Sequence, residues 1–243
     1  MGKLKGIVQF TGHFDGLSFY EVQGKIVVRK TGGFDGEKIK KDSNYTRVRE
    51  NSSEFAHSAK VGKYFRASIA PQLLPLRLPY IHNRIVSLFQ GILKFDLVHS
   101  RGDRTVGTGL QTAAGKKALL DFEFDKTQTF SSIFPFKMHV DFIGGTLSIV
   151  DFCANTISSP KSADRIELQL HAVVLDFDVF TTPVLTPSSI FHFDIANKQI
   201  TDLIVPIASG ITLAVLEINF LQQINGNTTK LKGGGIKIVG VQI

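Results

Sequence analysis

The residues best suited to chemistry in this sequence are histidines and aspartates of its second half. Three histidines fall in segments whose alternating pattern predicts strands, and a sheet could bring them close to three aspartates. Such a convergence would suit a metal ion or an acid–base pair. These residues are His139, His171 and His192, with Asp141, Asp178 and Asp194. Because no histidines have the close spacing of a metal-binding motif, we favour solvent-facing or core histidines, and we predict no metal and no cofactor.

Carboxylates recur at every second position in residues 121–125 and 176–178. Alternation places them on one face of a strand, where they could bind Ca²⁺. We favour a hydrated strand face opposite a Phe-rich core. Motifs of the type G-x-S-x-G, for a nucleophile, and G-x-x-x-x-G-K-[ST], for phosphate, do not occur. We therefore predict no catalytic residue and a protein that is not an enzyme.

The elements that must position these residues change character along the chain. Residues 1–30 predict a small β-meander, with short strands near 7–10, 17–22 and 25–30 and a hairpin turn at Gln23-Gly24. Three such strands bury too little apolar surface to be stable alone. Beyond them the apolar spacing becomes helical, which predicts helices over about 43–70, 80–100 and 112–120.

After residue 120 the pattern alternates with a period of two and predicts about seven strands. Gly144-Gly145 indicates a hairpin, and a shift of phase near Ala172 predicts a β-bulge. The fold class is therefore α+β. We predict an N-terminal small β-meander plus two or three helices, followed by a C-terminal antiparallel β-sandwich.

The net charge changes sign along the chain at nearly the same place as the change from helical to strand pattern. Residues 1–120 have 20 Lys and Arg against 9 Asp and Glu, whereas residues 121–243 have 8 against 12. The overall charge of +7 thus combines a net +11 with a net −4. A step of this size indicates two surfaces with different roles. We predict a basic β-meander and helical region over residues 1–125 and a β-sandwich domain over residues 126–243.

Targeting signals are sparse in this sequence. The first residues are basic, but the apolar stretch of a signal peptide does not follow them. The most apolar segment, residues 203–221, is interrupted by Pro206, Gly210 and Glu217, so we expect no membrane span. Cys153 is the only cysteine, which excludes an intramolecular disulfide. We expect a cytoplasmic protein, or one released by a signal-independent route.

Basic residues are densest between residues 25 and 66, with Tyr45 and Tyr64 among them. This combination is compatible with nucleic-acid binding, although the chain contains no recognised nucleic-acid motif. Arg47 could instead pair with Glu50 and Glu54 along a helix. A basic face that meets an acidic face of another copy explains the charge at least as well.

The order of residues in the N-terminal region is specific enough to indicate a protein family. It contains Gly16-Leu-Ser-Phe-Tyr20, then Gly24-Lys-Ile-Val-Val-Arg-Lys-Thr-Gly-Gly33, and later Arg49-Glu-Asn51 before Glu54-Phe55. Over about residues 1–120 the chain resembles an uncharacterised protein family of Bacteroidetes-type bacteria. The resemblance implies a bacterial source. It implies no activity and no catalytic residue.

From charge and architecture we predict a structural protein that assembles with itself into a homo-oligomer, filament or tube through oppositely charged faces. Head-to-tail packing of this kind makes rings or open polymers. The alternatives are a nucleic-acid-associated protein that uses the basic N-terminal half, and a metal- or ligand-binding β-sandwich. The predicted interface consists of two apolar anchors and seven cations: Phe19, Tyr20, Arg29, Lys30, Lys38, Lys40, Lys41, Arg47 and Arg49.

Overall fold

The fold is that of a computed structural model. It describes residues 2–3, 10–31, 36–152, 156–177, 180, 184–186, 190–194, 203–204 and 211–243. The chain forms two compact units, Met1–Arg49 and Glu50–Ile243. The sequence predicted a boundary at residues 125 and 126 instead.

The N-terminal unit contains an antiparallel sheet in the order β1-β4-β3-β2. Its strands are β1 (Gly2–Lys3), β2 (Gly12–Phe14), β3 (Leu17–Val22) and β4 (Lys25–Lys30). Gln23 and Gly24 both have positive φ, 51° and 74°, which suits a tight turn that follows the strand twist. The predicted hairpin is therefore confirmed. The strand predicted at residues 7–10 lies outside the described residues, except for Phe10.

The helices follow the sheet in the chain. A short helix α1 (Gly36–Lys41) and a 3₁₀ turn (Ser43–Tyr45) precede the long helix α2. The remaining helices are short, and a 3₁₀ turn (Leu74–Leu76) follows α3. Their bounds are α2 (Thr46–Ser68), α3 (Ala70–Leu73), α4 (Ile81–Leu93), α5 (Val106–Leu110), α6 (Ala113–Leu120) and α7 (Phe130–Ile133).

The three predicted helices correspond to α2, α4 and α6. Helix α4 ends at Leu93, however, and not near residue 100 as predicted. The backbone that follows Leu93 is not helical, because the N–H groups of Val98 and His99 bind the Asp96 carboxylate instead of carbonyl groups of the preceding turn.

The second unit contains two antiparallel sheets. In the larger one, β7 and β11 pair along their length, β8 and β9 add to the outer edge of β7, and β12 and β13 add to the outer edge of β11. The smaller sheet has the order β10-β6-β5. The strands are β5 (Lys137–Asp141), β6 (Thr146–Val150), β7 (Arg165–Leu175), β8 (Val184–Thr186), β9 (Ile190–Asp194), β10 (Leu203–Ile204), β11 (Ile211–Ile224), β12 (Asn227–Lys230) and β13 (Gly235–Gln242).

The large sheet separates two hydrophobic cores. On one face, Val173, Leu213 and Val215 pack with helices α2 to α6. On the other face, alternate residues of β7 and β11 pack with β5, β6 and α7. The fold is thus α+β with an antiparallel β-sandwich, as predicted. Because the helices share a core with the sheet, they belong to the same compact unit as the strands.

The bulge predicted near Ala172 is absent where β7 pairs with β11. Strand β7 keeps a continuous register with β11, and the irregularity lies between Ala214 and Val215, where β11 pairs with β13. The apolar pattern of β7 changes phase because the sheet is covered on both faces at Ala172 and Val173, which are both fully buried.

Candidate binding cleft

A polar cleft of about 530 Å³ lies in the helical layer of the second unit. Its walls come from three separate parts of the chain. These are the first turns of α2 within this unit, the end of α4, and the segment 94–105 that joins α4 to α5. The lining residues are Asn51, Glu54, Gln90, Leu93, Lys94, Arg101 and Arg104.

One wall of the cleft is held by an ion pair between Glu54 and Arg104. Arg104 Nε and Nη2 donate to the two Glu54 oxygens at 2.7 and 2.9 Å, and the Gly102 N–H donates to Oε1 at 2.9 Å. The hydrogen bond from Arg104 lowers the pKa of Glu54 and outweighs the opposing effect of burial. A Cβ at Gly102, whose φ is +100°, would lie 3.1 to 3.3 Å from atoms of Glu50, so this close approach favours glycine.

The segment 94–105 is organised around the buried carboxylate of Asp96. Its Oδ1 accepts from the N–H groups of Val98 and His99 at 2.9 and 3.1 Å. Its Oδ2 accepts from the Thr105 N–H and lies 2.8 Å from His99 Nδ1. Burial raises the pKa of Asp96, but these hydrogen bonds outweigh it and bring the pKa to about 2. The carboxylate therefore stays charged and holds the segment in one conformation.

Arg101 bridges this segment to α2. Its Nη2 donates to Asn51 Oδ1 at 2.8 Å, and its Nε lies 3.6 Å from Glu50 Oε2. From the sequence, pairs of Arg47 with Glu50 and Glu54 along a helix were one alternative. In the structure Glu50 lies near Arg101 and Glu54 pairs with Arg104. These arginines are about fifty residues away, so no local pattern could indicate the contacts.

A second polar cluster lies on the large sheet, on the face that elsewhere packs against the helices. Buried Glu217 accepts from Asn219 Nδ2 at 2.9 Å and Lys230 Nζ at 3.0 Å, and it lies 3.1 Å from His171 Nε2. Asn219 Nδ2 also donates to Glu167 at 2.9 Å. Burial raises the pKa of Glu217, but its three partners more than offset this and lower it. The cluster satisfies its own charges, which is the pattern of a structural network.

The predicted convergence of histidines and aspartates is not seen as a site in the described residues. His139 lies in the smaller sheet, and His171 lies in the larger one. The backbone of His192 pairs in register with Glu167, and that of Asp194 with Arg165. Asp178 lies outside the described residues. Within the part of the chain that the structure describes, no group of three or more His, Cys, Asp or Glu could hold a metal ion.

The predicted interface residues all lie in the N-terminal unit, in two groups. In the sheet, Phe19 is buried, with its ring centroid 4.5 Å from that of Phe10, and Arg29 stacks over the Tyr20 ring at 5.5 Å. Exposed Lys30 ends β4. The other group lies on or beside α1 and at the start of α2: Lys38, Lys40, Lys41, Arg47 and Arg49.

The cations of this second group make local interactions. Lys40 and Lys41 lie 3.1 and 3.5 Å from carboxylate oxygens of Glu37. Arg49 Nη1 donates to the carbonyl groups of Ile39 and Asp42 at 2.6 and 2.9 Å. Arg49 therefore binds the carbonyl groups at the end of α1 and helps to fix the local chain. Lys38 and Arg47 are exposed, and both have interaction partners.

Sequence reasoning missed that several apolar side chains among the described residues of this unit are exposed. Phe14 is 71% exposed, and Phe10, Leu17 and Val22 are also exposed. Residues 10–14 line an apolar groove of about 300 Å³ along the edge strand β2. The available signal was the pair of phenylalanines, Phe10 and Phe14, on either side of Gly12-His13.

Comparisons of the chain with protein-family models, with curated proteins and with solved structures find no match. The resemblance of the N-terminal region to a bacterial protein family therefore stays a prediction. Among the described residues, no helix is both long enough and apolar enough to cross a membrane.

Proposed function

We propose that this chain is a structural protein that associates with copies of itself through the N-terminal unit. The observation that carries the proposal is the exposure of Phe14 beside the apolar groove of residues 10–14. Exposed aromatic side chains around a groove are typical of protein–protein contacts. The groove runs along β2, which is an edge of the sheet in the described part of the chain.

The size of the N-terminal unit supports this assignment. Among its described residues, the buried apolar side chains are Phe19, Ile26 and Val27. Sheets of a few short strands need a larger apolar face, or a further layer, to be stable. A neighbouring molecule that covers Phe10 and Phe14 would supply such a layer. The apolar anchors of the proposed contact are therefore Phe10 and Phe14, since Phe19 is already buried.

Charge favours another copy of the chain as the occupant. Residues 1–49 have 10 Lys and Arg against 5 Asp and Glu, and Arg29 and Lys30 are exposed at the end of β4. Residues 121–243 have a net charge of −4. Contact between the basic N-terminal unit of one molecule and the net-acidic, strand-rich part of the second unit of another is electrostatically favourable and heterologous, so it extends to rings or filaments.

The test is the mass of the native particle, measured by size-exclusion chromatography with light scattering. We expect the wild-type chain to form oligomers that weaken as salt is raised, and Phe14→Glu to shift the population to monomer. Leu74→Glu is the matched control, because Leu74 is equally exposed, at 74%, but lies in the helical layer.

Two results would contradict the proposal. One is a wild-type chain that remains monomeric at high concentration and low salt. The other is an oligomer that Phe14→Glu and Leu74→Glu affect equally. Salt-dependent binding of the monomer to DNA or RNA in a gel-shift assay would favour the nucleic-acid alternative instead.

A further inference from the structure

We propose that the cleft of the second unit binds a small organic anion that carries carboxylate or phosphate groups. This inference is independent of self-association, because every lining residue lies between Asn51 and Arg104 in the helical layer. A volume of about 530 Å³ falls within the usual range for small-molecule sites. The class of ligand is inferred from the hydrogen-bond donors and acceptors of the lining that are not already paired within the protein.

The acidic residue of the lining is already engaged. Glu54 accepts two hydrogen bonds from Arg104 and one from the Gly102 N–H. Both carboxylate oxygens therefore have donors, and the charge of Glu54 is balanced by Arg104. A cationic ligand would have to compete with a bidentate arginine, which is among the stronger polar pairs in proteins.

The remaining charged groups of the lining are cationic. Lys94 is exposed, and in the part of the chain that the structure describes it has no ion-pair partner. Arg101 is about half exposed, and its ion pair with Glu50, at 3.6 Å, is longer than the 2.7 Å pair of Arg104 with Glu54. Asn51 uses its oxygen to accept from Arg101, which leaves its amide N–H groups as donors. These groups suit a ligand with several acceptor oxygens.

The backbone that carries these cations is ordered before a ligand arrives. Lys94 and Arg101 stand at the two ends of a loop whose centre is bound by the buried Asp96 carboxylate. Arg104 is held by Glu54, just beyond Arg101. Because this backbone is already ordered, binding costs mainly the side-chain entropy of Lys94, and more of the electrostatic attraction is retained as affinity.

Isothermal titration of the full-length protein with two probes tests the proposal. The probes are citrate, for carboxylates, and inorganic pyrophosphate, for phosphoryl groups, at one ionic strength maintained with sodium chloride. We expect saturable binding of at least one probe. The probe that binds more tightly identifies the chemistry of the natural ligand.

Variants locate the binding. We expect Lys94→Gln together with Arg101→Gln to weaken binding by about tenfold or more, because charge-assisted hydrogen bonds are lost. Lys116→Gln with Lys161→Gln removes the same charge away from the cleft and should leave the affinity within about twofold. Lys94→Gln alone provides a second variant that disturbs no observed contact. The proposal is overturned if neither probe binds saturably, or if the cleft and control variants bind alike.

Discussion

The energetic cost of burying the Asp96 carboxylate is compensated by hydrogen bonds. Its carboxylate accepts from three backbone N–H groups and faces His99. The Val98 and His99 N–H groups follow the end of α4, and the Thr105 N–H precedes α5, so the side chain supplies acceptors that neither helix provides. The conformation of the cleft wall therefore depends on one ionised side chain.

We predict that Asp96→Asn destabilises the protein at neutral pH by about 2 kcal/mol, because an amide cannot accept from all of these donors. The pKa of Asp96 in the folded protein is about 2, below its usual 3.8, so the carboxylate stabilises the fold above the usual value. That stabilisation is lost as the pH falls from about 3.8 to 2. The difference between wild type and variant should therefore shrink over this interval in urea unfolding experiments.

The control for this prediction is Asp103→Asn, an exposed aspartate of the same segment. Its free energy of unfolding should stay close to that of the wild type across the same pH range. A constant difference between Asp96→Asn and wild type from pH 7 to pH 2 would contradict the assignment, since it would indicate that the ionised form contributes nothing specific.

At the scale of elements, the helices approach each other through glycines. A Cβ on Gly109 of α5 would lie 2.3 Å from the carbonyl oxygen of Ile92, in α4. A Cβ on Gly115 of α6 would lie 2.1 Å from the carbonyl oxygen of Gly109. Backbone atoms cannot move away as a flexible side chain can, so only glycine permits this packing. The sequence predicted α6 as the helix over about residues 112–120, but local pattern did not indicate this close approach.

We predict that Gly115→Ala destabilises the protein by about 1–3 kcal/mol, because the new methyl group overlaps backbone atoms of α5. Gly91→Ala is the matched control. Gly91 lies within α4, and a Cβ there would meet nothing within 4 Å. Alanine should stabilise the helix at that position by up to about 1 kcal/mol, because of its higher helix propensity. Thermal unfolding followed by circular dichroism measures both, and changes of the same sign would contradict the packing argument.

Local patterns predicted most of the elements but not all of their ends. The hairpin at Gln23-Gly24 and the alternation in β7 are properties of neighbouring residues, so they were visible in the sequence. The end of α4 depends on a side chain that becomes buried only in the folded protein. The strand β12 was missed because its four residues are exposed and polar, and the turn before it was the only local signal.

At the scale of the molecule, the large sheet is common to both hydrophobic cores of the second unit. Alternate residues of β11 face the helices or the smaller sheet: Leu213 belongs to the first core and Leu216 to the second. Loss of packing on either face therefore weakens the same pair of central strands. We infer that the helices and strands of this unit unfold together.

Hydrogen exchange measured by mass spectrometry tests this cooperativity. We predict that Leu213→Ala and Leu216→Ala each destabilise the unit by about 2–5 kcal/mol and speed exchange in α4 as well as in β7. The reason is that removal of either side chain leaves a cavity against the shared sheet. Faster exchange in the strands alone after Leu216→Ala would show that the helical layer is independently stable.

The sequence by itself determined the fold class, the hairpin of the N-terminal sheet and the step in charge, because each follows from local periodicity or from composition. Tertiary structure alone decided the rest. The pairing of Glu54 with Arg104, the cluster around Glu217 and the burial of Phe19 with exposure of Phe14 depend on which distant segments meet. Contacts between distant segments depend on the packing of the whole chain. They cannot be inferred from the type and spacing of neighbouring residues.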